Sequence, residues 1–154
     1  NVNFSHNSGT YTLTGDKATG DFAKSGAGTV VLAATNDFGH VTISGGVVET
    51  TAEVNPLGRY GQLSISNNAT LKISASTTLA RPFDVSSGGA TLEVAGTNTL
   101  TIPSVISGTQ TLTKTGTGTV LIAGNSNFTG TLDINQGRVI VSDPVTLDGA
   151  RGDL

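Results

Sequence analysis

Apolar and polar residues alternate along short stretches of the chain, and each stretch is interrupted by a turn that contains Gly or Asn. The sequence VTISGGVVE at residues 41–49 shows the pattern. Such alternation is typical of strands with one buried and one exposed face. A helical interpretation fails, because Gly, Thr and Asn are all poor helix formers. The pattern therefore predicts an all-β chain, and further copies of it lie at residues 4–13, 63–73, 83–94, 132–141 and 145–154.

The apolar anchors Ile43, Ile65 and Val85 are about twenty residues apart, which is a spacing found in solenoid proteins. One coil per twenty-odd residues, with two or three short strands in each, predicts a right-handed parallel β-helix of about six to seven coils. We expect residues 1–154 to form a single β-helix segment, with outward Thr residues in ladders between coils. The predicted inward residues are Val30, Leu32, Phe38, Ile43, Val48, Ile65, Leu71, Ile73, Val85, Leu92, Val94, Val120, Ile122, Phe128, Ile134 and Val139.

A longer phrase occurs twice, at residues 22–52 and 112–142. Residues 24–33 align with residues 114–123, and six of the ten pairs are identical. Further aligned pairs are Phe38 with Phe128, Val41 with Leu132, Ile43 with Ile134, Gly46 with Gly137 and Val48 with Val139. A stacked coil needs the same inward residues at the same places in each turn, and this need explains the repetition.

The composition narrows the chemistry that the chain can support. The 154 residues include 21 Gly and no Cys, only 12% are charged, and the net charge is −3. Eight scattered Lys and Arg residues do not make the basic surface that nucleic-acid binding needs. Without Cys there are no disulfides, thiol nucleophiles or Cys-ligated zinc sites. The sequence shows no long apolar run, no signal peptide and no initiator Met, so we expect a fragment of a longer protein.

The second copy, LTKTGTGTVLIAGNSNFTGTLDINQGRVIV at residues 112–141, resembles the passenger-associated transport repeat, also called the autotransporter-associated β-strand repeat. The family pattern reads L-T-K-x-G-x-G-T-L-x-L-x-G, a short turn with Asn and an aromatic residue, and then T-G-x-T-x-I-x-x-G-x-L. The first copy departs from it, because Ala34 replaces a Gly and His40 lies where Gly130 lies later. The motif residues that we expect to serve structure and export are Lys24, Gly26, Gly28, Thr29, Phe38, Ile43, Gly46, Leu112, Lys114, Gly116, Gly118, Thr119, Phe128, Gly130, Ile134 and Gly137.

The resemblance implies a β-helical segment of the passenger domain of a type V autotransporter, secreted from a Gram-negative bacterium or displayed at its outer membrane. Its implied partners are the adjacent passenger coils and a C-terminal outer-membrane β-barrel translocator of the parent chain. The expected function is a structural stem that supports export, folding and surface display. There is no ATP outside the cell to drive export. Coils that stack as they emerge cannot slip back, and local contacts favour such stacking.

An adhesive surface that binds a host-cell protein or glycan is the main alternative. A sugar-binding face needs exposed aromatic residues, and the candidates are Tyr11 and Tyr60. The tripeptide Arg151-Gly152-Asp153 has the sequence that integrins bind, although such a tripeptide also arises by chance. The pattern places it over residues 89–91, at an exposed coil corner.

A polysaccharide-active enzyme is a further alternative, because parallel β-helices also carry such activities. Glycosidases need two carboxylates across a cleft, and the acidic residues here form no D-x-D or D-D cluster. Stacking of Asp84, Glu93 and Asp133 on one face would revive this alternative. His6 and His40 are far apart, and His40 is predicted to be an exposed turn residue. The sequence therefore predicts no enzyme, no catalytic residues, no cofactor and no metal site.

Overall fold

The computed structural model describes residues 1–142 and the backbone of residues 150–151. Within these residues the chain forms nineteen strands and no helix. The strands pair in parallel into three sheets, which stack as a β-solenoid of about seven turns. The prediction of an all-β parallel solenoid is therefore confirmed.

The strands of each sheet lie side by side along one face of the solenoid. Sheet A comprises β1 (Val2–Phe4), β3 (Thr19–Lys24), β5 (Asp37–Ile43), β7 (Leu63–Ile65), β10 (Phe83–Val85), β13 (Ile106–Gly108) and β16 (Ser126–Phe128). Sheet B comprises β2 (Thr10–Leu13), β4 (Thr29–Leu32), β6 (Val47–Thr50), β8 (Ala69–Ile73), β11 (Ala90–Val94), β14 (Leu112–Thr115), β17 (Leu132–Ile134) and β19 (Ala150–Arg151). Sheet C comprises β9 (Thr77–Thr78), β12 (Thr99–Ile102), β15 (Thr119–Ile122) and β18 (Arg138–Val141).

Each strand pairs with the strands one coil before and one coil after it, so equivalent residues form columns along the solenoid. Ile43 pairs with Ile65, and Ile65 pairs with Val85, as the twenty-residue spacing predicts. On the outer side of sheet B, three threonines stack in the same way, namely Thr70, Thr91 and Thr113. Thr is β-branched and pairs well across neighbouring strands, which accounts for its abundance in this chain.

The core is a continuous apolar column inside the coils. Of the sixteen residues predicted to point inward, fourteen are buried. The other two, Ile134 and Val139, are half-buried and pack against the core from the last described coil. Full burial of a Val, Leu, Ile or Phe side chain stabilises a fold by roughly 1.5–3 kcal/mol, so this column is the main source of stability.

The two copies of the long repeat occupy different faces of the solenoid. Lys24 belongs to sheet A, whereas Lys114 belongs to sheet B. The column that contains Ile43 ends at Phe128, not at its sequence counterpart Ile134. The expectation that repeated residues hold the same place in each turn was therefore wrong. The copies are four coils and one strand apart, so the second is rotated by one face relative to the first.

The coil changes its cross-section along the chain. Strands β1 to β6 alternate between sheets A and B, and sheet C begins only at β9. Residues 51–62, the longest strand-free segment in the described part, lie just before this change. We call residues 51–62 the corner loop.

Candidate functional site

The lysine of the first repeat copy is buried, although Lys is almost never fully buried in proteins. Lys24 is 0% exposed. Its Nζ donates to the carbonyl oxygens of Ser25 at 2.6 Å, Gly26 at 2.7 Å and Gly45 at 3.2 Å. The first two acceptors belong to the turn that follows Lys24, and the third belongs to the next coil. The ammonium group therefore ties a corner of its own coil to a corner of the coil above it.

The second copy reproduces this arrangement on another face of the solenoid. Lys114 is 1% exposed. Its Nζ donates to Thr115 at 2.6 Å, Gly116 at 2.7 Å and Gln136 at 3.1 Å, again at carbonyl oxygens. The sequence spacing from each lysine to its distant acceptor is nearly the same, 21 residues for Lys24 and 22 for Lys114. We call each such arrangement a lysine corner.

Each lysine corner is closed by a glycine of the next coil. Gly46 and Gly137 have φ values of +66° and +79°, which L side chains rarely adopt. A Cβ atom added at Gly46 would lie 2.8 Å from the Nζ of Lys24, and one at Gly137 would lie 2.8 Å from the Nζ of Lys114. The Cβ would also clash with backbone carbonyl oxygens of the preceding coil, those of Gly26 and Gly28 at Gly46 and those of Gly116 and Gly118 at Gly137. Both positions are therefore restricted to Gly by backbone conformation, by these carbonyl groups and by the lysine beside them.

The motif also contacts the coil that precedes it. In the first copy, the backbone N–H of Gly28 donates to the carbonyl oxygen of His6 at 3.0 Å, and that of Thr29 donates to the carbonyl oxygen of Gly9 at 3.0 Å. In the second copy, the backbone N–H of Gly118 donates to the carbonyl oxygen of Val94 at 2.9 Å, and that of Thr119 donates to the carbonyl oxygen of Asn98 at 2.9 Å. Because the lysine reaches forward and these amides reach back, each repeat links three consecutive coils.

The two buried ammonium groups are held by carbonyl dipoles alone. Burial lowers the pKa of Lys24 and of Lys114 below the usual value of 10.5. Among the described residues the ion pairs are Lys17 with Asp37 and Lys72 with Glu49, so neither buried lysine has a carboxylate partner. Hydrogen bonds to charged groups contribute about 1.5–3 kcal/mol each, and three of them offset much of the desolvation.

The remaining motif residues have packing roles. Phe38, Ile43, Leu112 and Phe128 are buried in the core. A Cβ atom at Gly130 would clash with the backbone carbonyl oxygen of Gln110 and lie 2.8 Å from the ring of Phe128, so this glycine allows the close approach of both groups. Gly26 and Gly116 both have a φ of +72°, which shows that the turn after the lysine is the same in both copies.

His40 departs from the family pattern, and the structure accommodates it with a β-bulge. The register between β3 and β5 shifts so that Gly39 and His40 lie opposite Asp21. The backbone N–H of His40 donates to Asp21 Oδ1 at 2.9 Å, which replaces the ladder bond lost at the bulge. The side chain is exposed as predicted, but its position in a turn was wrong, because His40 lies within strand β5.

The three carboxylates that the sequence analysis singled out do not stack on one face of the solenoid. Asp84 lies in sheet A, whereas Glu93 and Asp133 lie in sheet B. Glu93 pairs with Thr115 and Asp133 pairs with Thr113, so these carboxylates belong to different columns. The stacking of Asp84, Glu93 and Asp133 that would support the enzyme hypothesis is therefore not observed. The described residues also include no cluster of three His, Cys, Asp or Glu residues suited to a metal ion, and no helix long and apolar enough to cross a membrane.

The Arg-Gly-Asp tripeptide is described only in part. The backbone of Arg151 lies in β19 and pairs with Asp133, in the column that also contains Thr91. The predicted alignment of Arg151 with residue 89 at a coil corner was therefore off by two residues, and Arg151 is part of a strand. Gly152 and Asp153 lie outside the described residues.

Sequence reasoning missed Arg81, which is 0% exposed. Its Nη1 donates to the carbonyl oxygen of Leu57, and its Nη2 donates to those of Gly39 and Tyr60. Burial lowers the pKa of Arg81 to about 10. A signal was present, because strict alternation through Leu79, Arg81 and Phe83 places the arginine on the inward side. The assumption that charged residues point outward overrode it.

Both copies of the long repeat match a known protein family. Residues 22–49 and 112–141 match the model of the passenger-associated-transport-repeat family. A curated relative, the adhesin BmaC autotransporter of Brucella suis biovar 1 (strain 1330), is 34% identical over 126 residues. The alignment covers 74% of this chain, and the chain spans only 4% of the length of that relative. No solved structure matches the chain.

Proposed function

This chain is an autotransporter passenger repeat segment, and from that premise we propose that it forms a structural stem whose repeats help to export and fold the passenger. The chain is secreted, or displayed at the cell surface in association with the outer membrane of a Gram-negative bacterium. Autotransporter identity implies a C-terminal translocator linked to the same parent chain. Contacts with adjacent passenger coils and with that translocator are part of the proposal.

The observation that supports this function is the lysine corner, present in both matched segments. Each corner gains its third carbonyl acceptor, at Gly45 or Gln136, only when the neighbouring coil is in place. An emerging chain that has stacked one coil therefore offers a charged donor for the next coil. Because the paired coils bury apolar surface together, backward movement through the membrane would have to break the corner and the core at once. Stacking then favours movement in one direction without ATP.

Export of the parent passenger with Lys24→Met and Lys114→Met tests the proposal. Methionine keeps the apolar stem of the side chain but removes the ammonium donor, which leaves buried carbonyl oxygens without a partner. Such a loss costs roughly 1–3 kcal/mol for each unsatisfied group. We expect passenger to appear at the cell surface several-fold more slowly, while host-cell adhesion per surface molecule is unchanged. Arg138→Met is the control, because Arg138 is an exposed cation of strand β18 without an ion pair among the described residues.

The two readouts separate the proposed stem from a binding surface. Slower export in the double variant, with normal export of the control, supports the stem. If the double variant is exported at the normal rate, the lysine corners have no part in export and the proposal fails. If export is normal and adhesion per molecule falls, the segment is a binding surface instead.

Adhesion is the second candidate function, and the relative named as an adhesin favours it. An integrin contact through Arg151, Gly152 and Asp153 is one form of this proposal. Asp153→Ala in the parent passenger should then reduce host-cell attachment per surface molecule, whereas the exposed-site control Asn127→Ala should not. Attachment that is unchanged in Asp153→Ala would remove the tripeptide from consideration. Under either candidate the chain is proposed to have no catalytic activity.

A further inference from the structure

A hollow of about 210 Å³ opens between the corner loop and the two preceding coil corners. Lys17 and Asp37 line one side, and Asn55, Arg59 and Tyr60 of the corner loop line the other. Both Arg59 and Tyr60 are exposed, so their side chains are available to a ligand. The regular coil pattern is interrupted at this hollow. Neither the stem function nor the repeat motif requires the hollow.

The charges in the hollow leave one cation available. Lys17 forms an ion pair with Asp37, with Nζ and Oδ2 2.8 Å apart, so these two charges offset each other. Arg59 has no carboxylate partner among the described residues. With the Asn55 amide oriented to satisfy both groups, its oxygen accepts from Arg59 Nε at 3.0 Å and Nη2 at 3.2 Å. A neutral amide thus orients the guanidinium and leaves its charge for an anion, in a chain whose net charge is −3.

An aromatic ring lies beside this cation. Tyr60 is 69% exposed, the highest value among the large apolar and aromatic residues of the described part. An exposed ring with a polar tip is costly to leave in water and is typical of surfaces that bind ligands by stacking. Val54, which is also exposed, extends the apolar surface at the rim of the hollow.

The hollow is held in shape by two neighbouring polar residues of one corner, Thr35 and Asn36, which bond to the adjacent coils. Buried Asn36 donates to the carbonyl oxygens of Ala34 and Pro56, both at 2.9 Å, and accepts from the N–H of Ala18 at 3.2 Å. It therefore joins three successive corners, including the one that carries Lys17. Thr35 Oγ1 donates to the Val54 carbonyl at 2.8 Å and fastens the start of the corner loop.

Buried Arg81 holds the other end of the corner loop. Its guanidinium donates to the carbonyl oxygens of Leu57 and Tyr60, which flank Arg59 in sequence. Burial of a charge without a carboxylate partner is unfavourable, and here the hydrogen bonds that offset its cost go to carbonyl oxygens of the corner loop and of Gly39. Here the conformation that it supports is the one that presents Arg59 and Tyr60. A ligand would therefore meet a preformed site, which lowers the entropy lost on binding.

We propose that the hollow binds an acidic saccharide, with a carboxylate on the guanidinium of Arg59 and a sugar ring against Tyr60. The planar guanidinium matches a carboxylate by two parallel hydrogen bonds, and a carboxylate is a more basic and therefore stronger acceptor than a sulfate ester, which favours this anion. The hydroxyl groups of a sugar suit the neighbouring amide and hydroxyl side chains, and its apolar face suits an aromatic ring. This binding activity is independent of the stem function, and either can fail without the other.

Titration of the ¹⁵N-labelled 154-residue chain with saccharide probes, followed by NMR, tests the proposal. The probes are 3′-sialyllactose and trigalacturonate as carboxylated saccharides, 3′-sulfolactose as a sulfated one and lactose as a neutral one. We expect at least one carboxylated probe to bind, with amide shifts confined to residues 17–18, 35–37 and 54–60. Its Kd should be at least tenfold lower than that of lactose and several-fold lower than that of sulfolactose.

Three variants locate the binding. Arg59→Ala and Tyr60→Ala should each weaken binding of the carboxylated probe at least tenfold, and Arg59→Lys should recover only part of the loss, because Lys lacks the planar fork. Arg138→Ala, which removes an exposed arginine from β18, should bind as the parent chain does. Absence of binding by both carboxylated probes, equal binding of lactose, equal binding of sulfolactose, or equal losses in Arg59→Ala and Arg138→Ala would each overturn the proposal.

Discussion

At the scale of single residues, the lysine and glycine positions of the repeat act together. A lysine points inward because carbonyl oxygens from two coils surround its ammonium group, and a glycine is needed opposite because no Cβ fits beside that group. The same geometry recurs at Lys24 with Gly46 and at Lys114 with Gly137. The recurrence on two different faces shows that the unit is local and does not depend on a particular sheet.

Substitution of Gly137 tests the steric part of this unit. Gly96 is the matched control, because its φ of +60° is also positive but nothing lies within 4 Å of an added Cβ. Gly96→Ala should cost only backbone strain, about 1–2 kcal/mol. Gly137→Ala should cost a further ~1–3 kcal/mol, since its Cβ would press on the lysine and on carbonyl oxygens. Urea unfolding measures both, and equal losses would show that the lysine and the carbonyl oxygens give way without cost.

The pH dependence of stability tests the electrostatic part. Burial lowers the pKa of Lys24 and Lys114 in the folded chain below 10.5, so between the lowered pKa and 10.5 the unfolded chain binds more protons. The contribution of these lysines to the free energy of unfolding should therefore rise as pH increases through that window, and stay constant below it. Urea unfolding at several pH values, with Lys24→Met/Lys114→Met as the reference, measures it. A contribution that falls with rising pH would mean that the folded state raises these pKa values.

At the scale of elements, short strands are joined by corners that side chains fasten. Asp21 supports the bulge in β5, Asn36 joins three successive corners, and Arg81 attaches the corner loop to the core. Each of these residues satisfies backbone groups that a bulge or a turn leaves without a ladder partner. The corners therefore depend on a few polar side chains, while the strands depend on repeated apolar ones.

Asn36→Ala tests how the corners are held. The substitution leaves the carbonyls of Ala34 and Pro56 and the N–H of Ala18 without their partner, so we expect a loss of roughly 2–4 kcal/mol in the free energy of unfolding. Amide hydrogen exchange should accelerate in residues 54–60 more than in β8 or β11. Asn127→Ala, at an exposed position of β16, should change neither quantity. Uniform acceleration along the whole chain would show that Asn36 has no special role at the corner loop.

At the scale of the whole molecule, the solenoid is built from contacts between neighbouring coils. Sheets A and B run along nearly all of the described chain, and sheet C joins them after the corner loop. Since each coil packs on the one before and the one after, a residue in the middle has partners on both sides. Ile134, near the end of the described part, is partly exposed and packs against the core.

Truncation of two stacked positions tests this view. Leu71→Ala, in a central coil, should cost about 2–5 kcal/mol, as large-to-small changes at fully buried sites do. Ile134→Ala, at a half-buried site three coils later in the same column, should cost less than half as much. Urea denaturation with a common m-value measures both free energies. Equal costs would mean that residue 134 is as well packed as the centre.

The sequence by itself determined the all-β class, the coil spacing, fourteen of the buried side chains and the two repeats, because alternation and stacking are periodic and can be counted along a chain. It did not determine that Lys24, Lys114 and Arg81 point inward, since the acceptors that complete their hydrogen bonding lie 21 to 42 residues away and become neighbours only when coils stack. Nor did it determine the face that each repeat occupies, which depends on the number of strands in every intervening coil. The hollow beside the corner loop likewise exists only in the folded chain, because its walls come from three corners that the tertiary structure alone brings together.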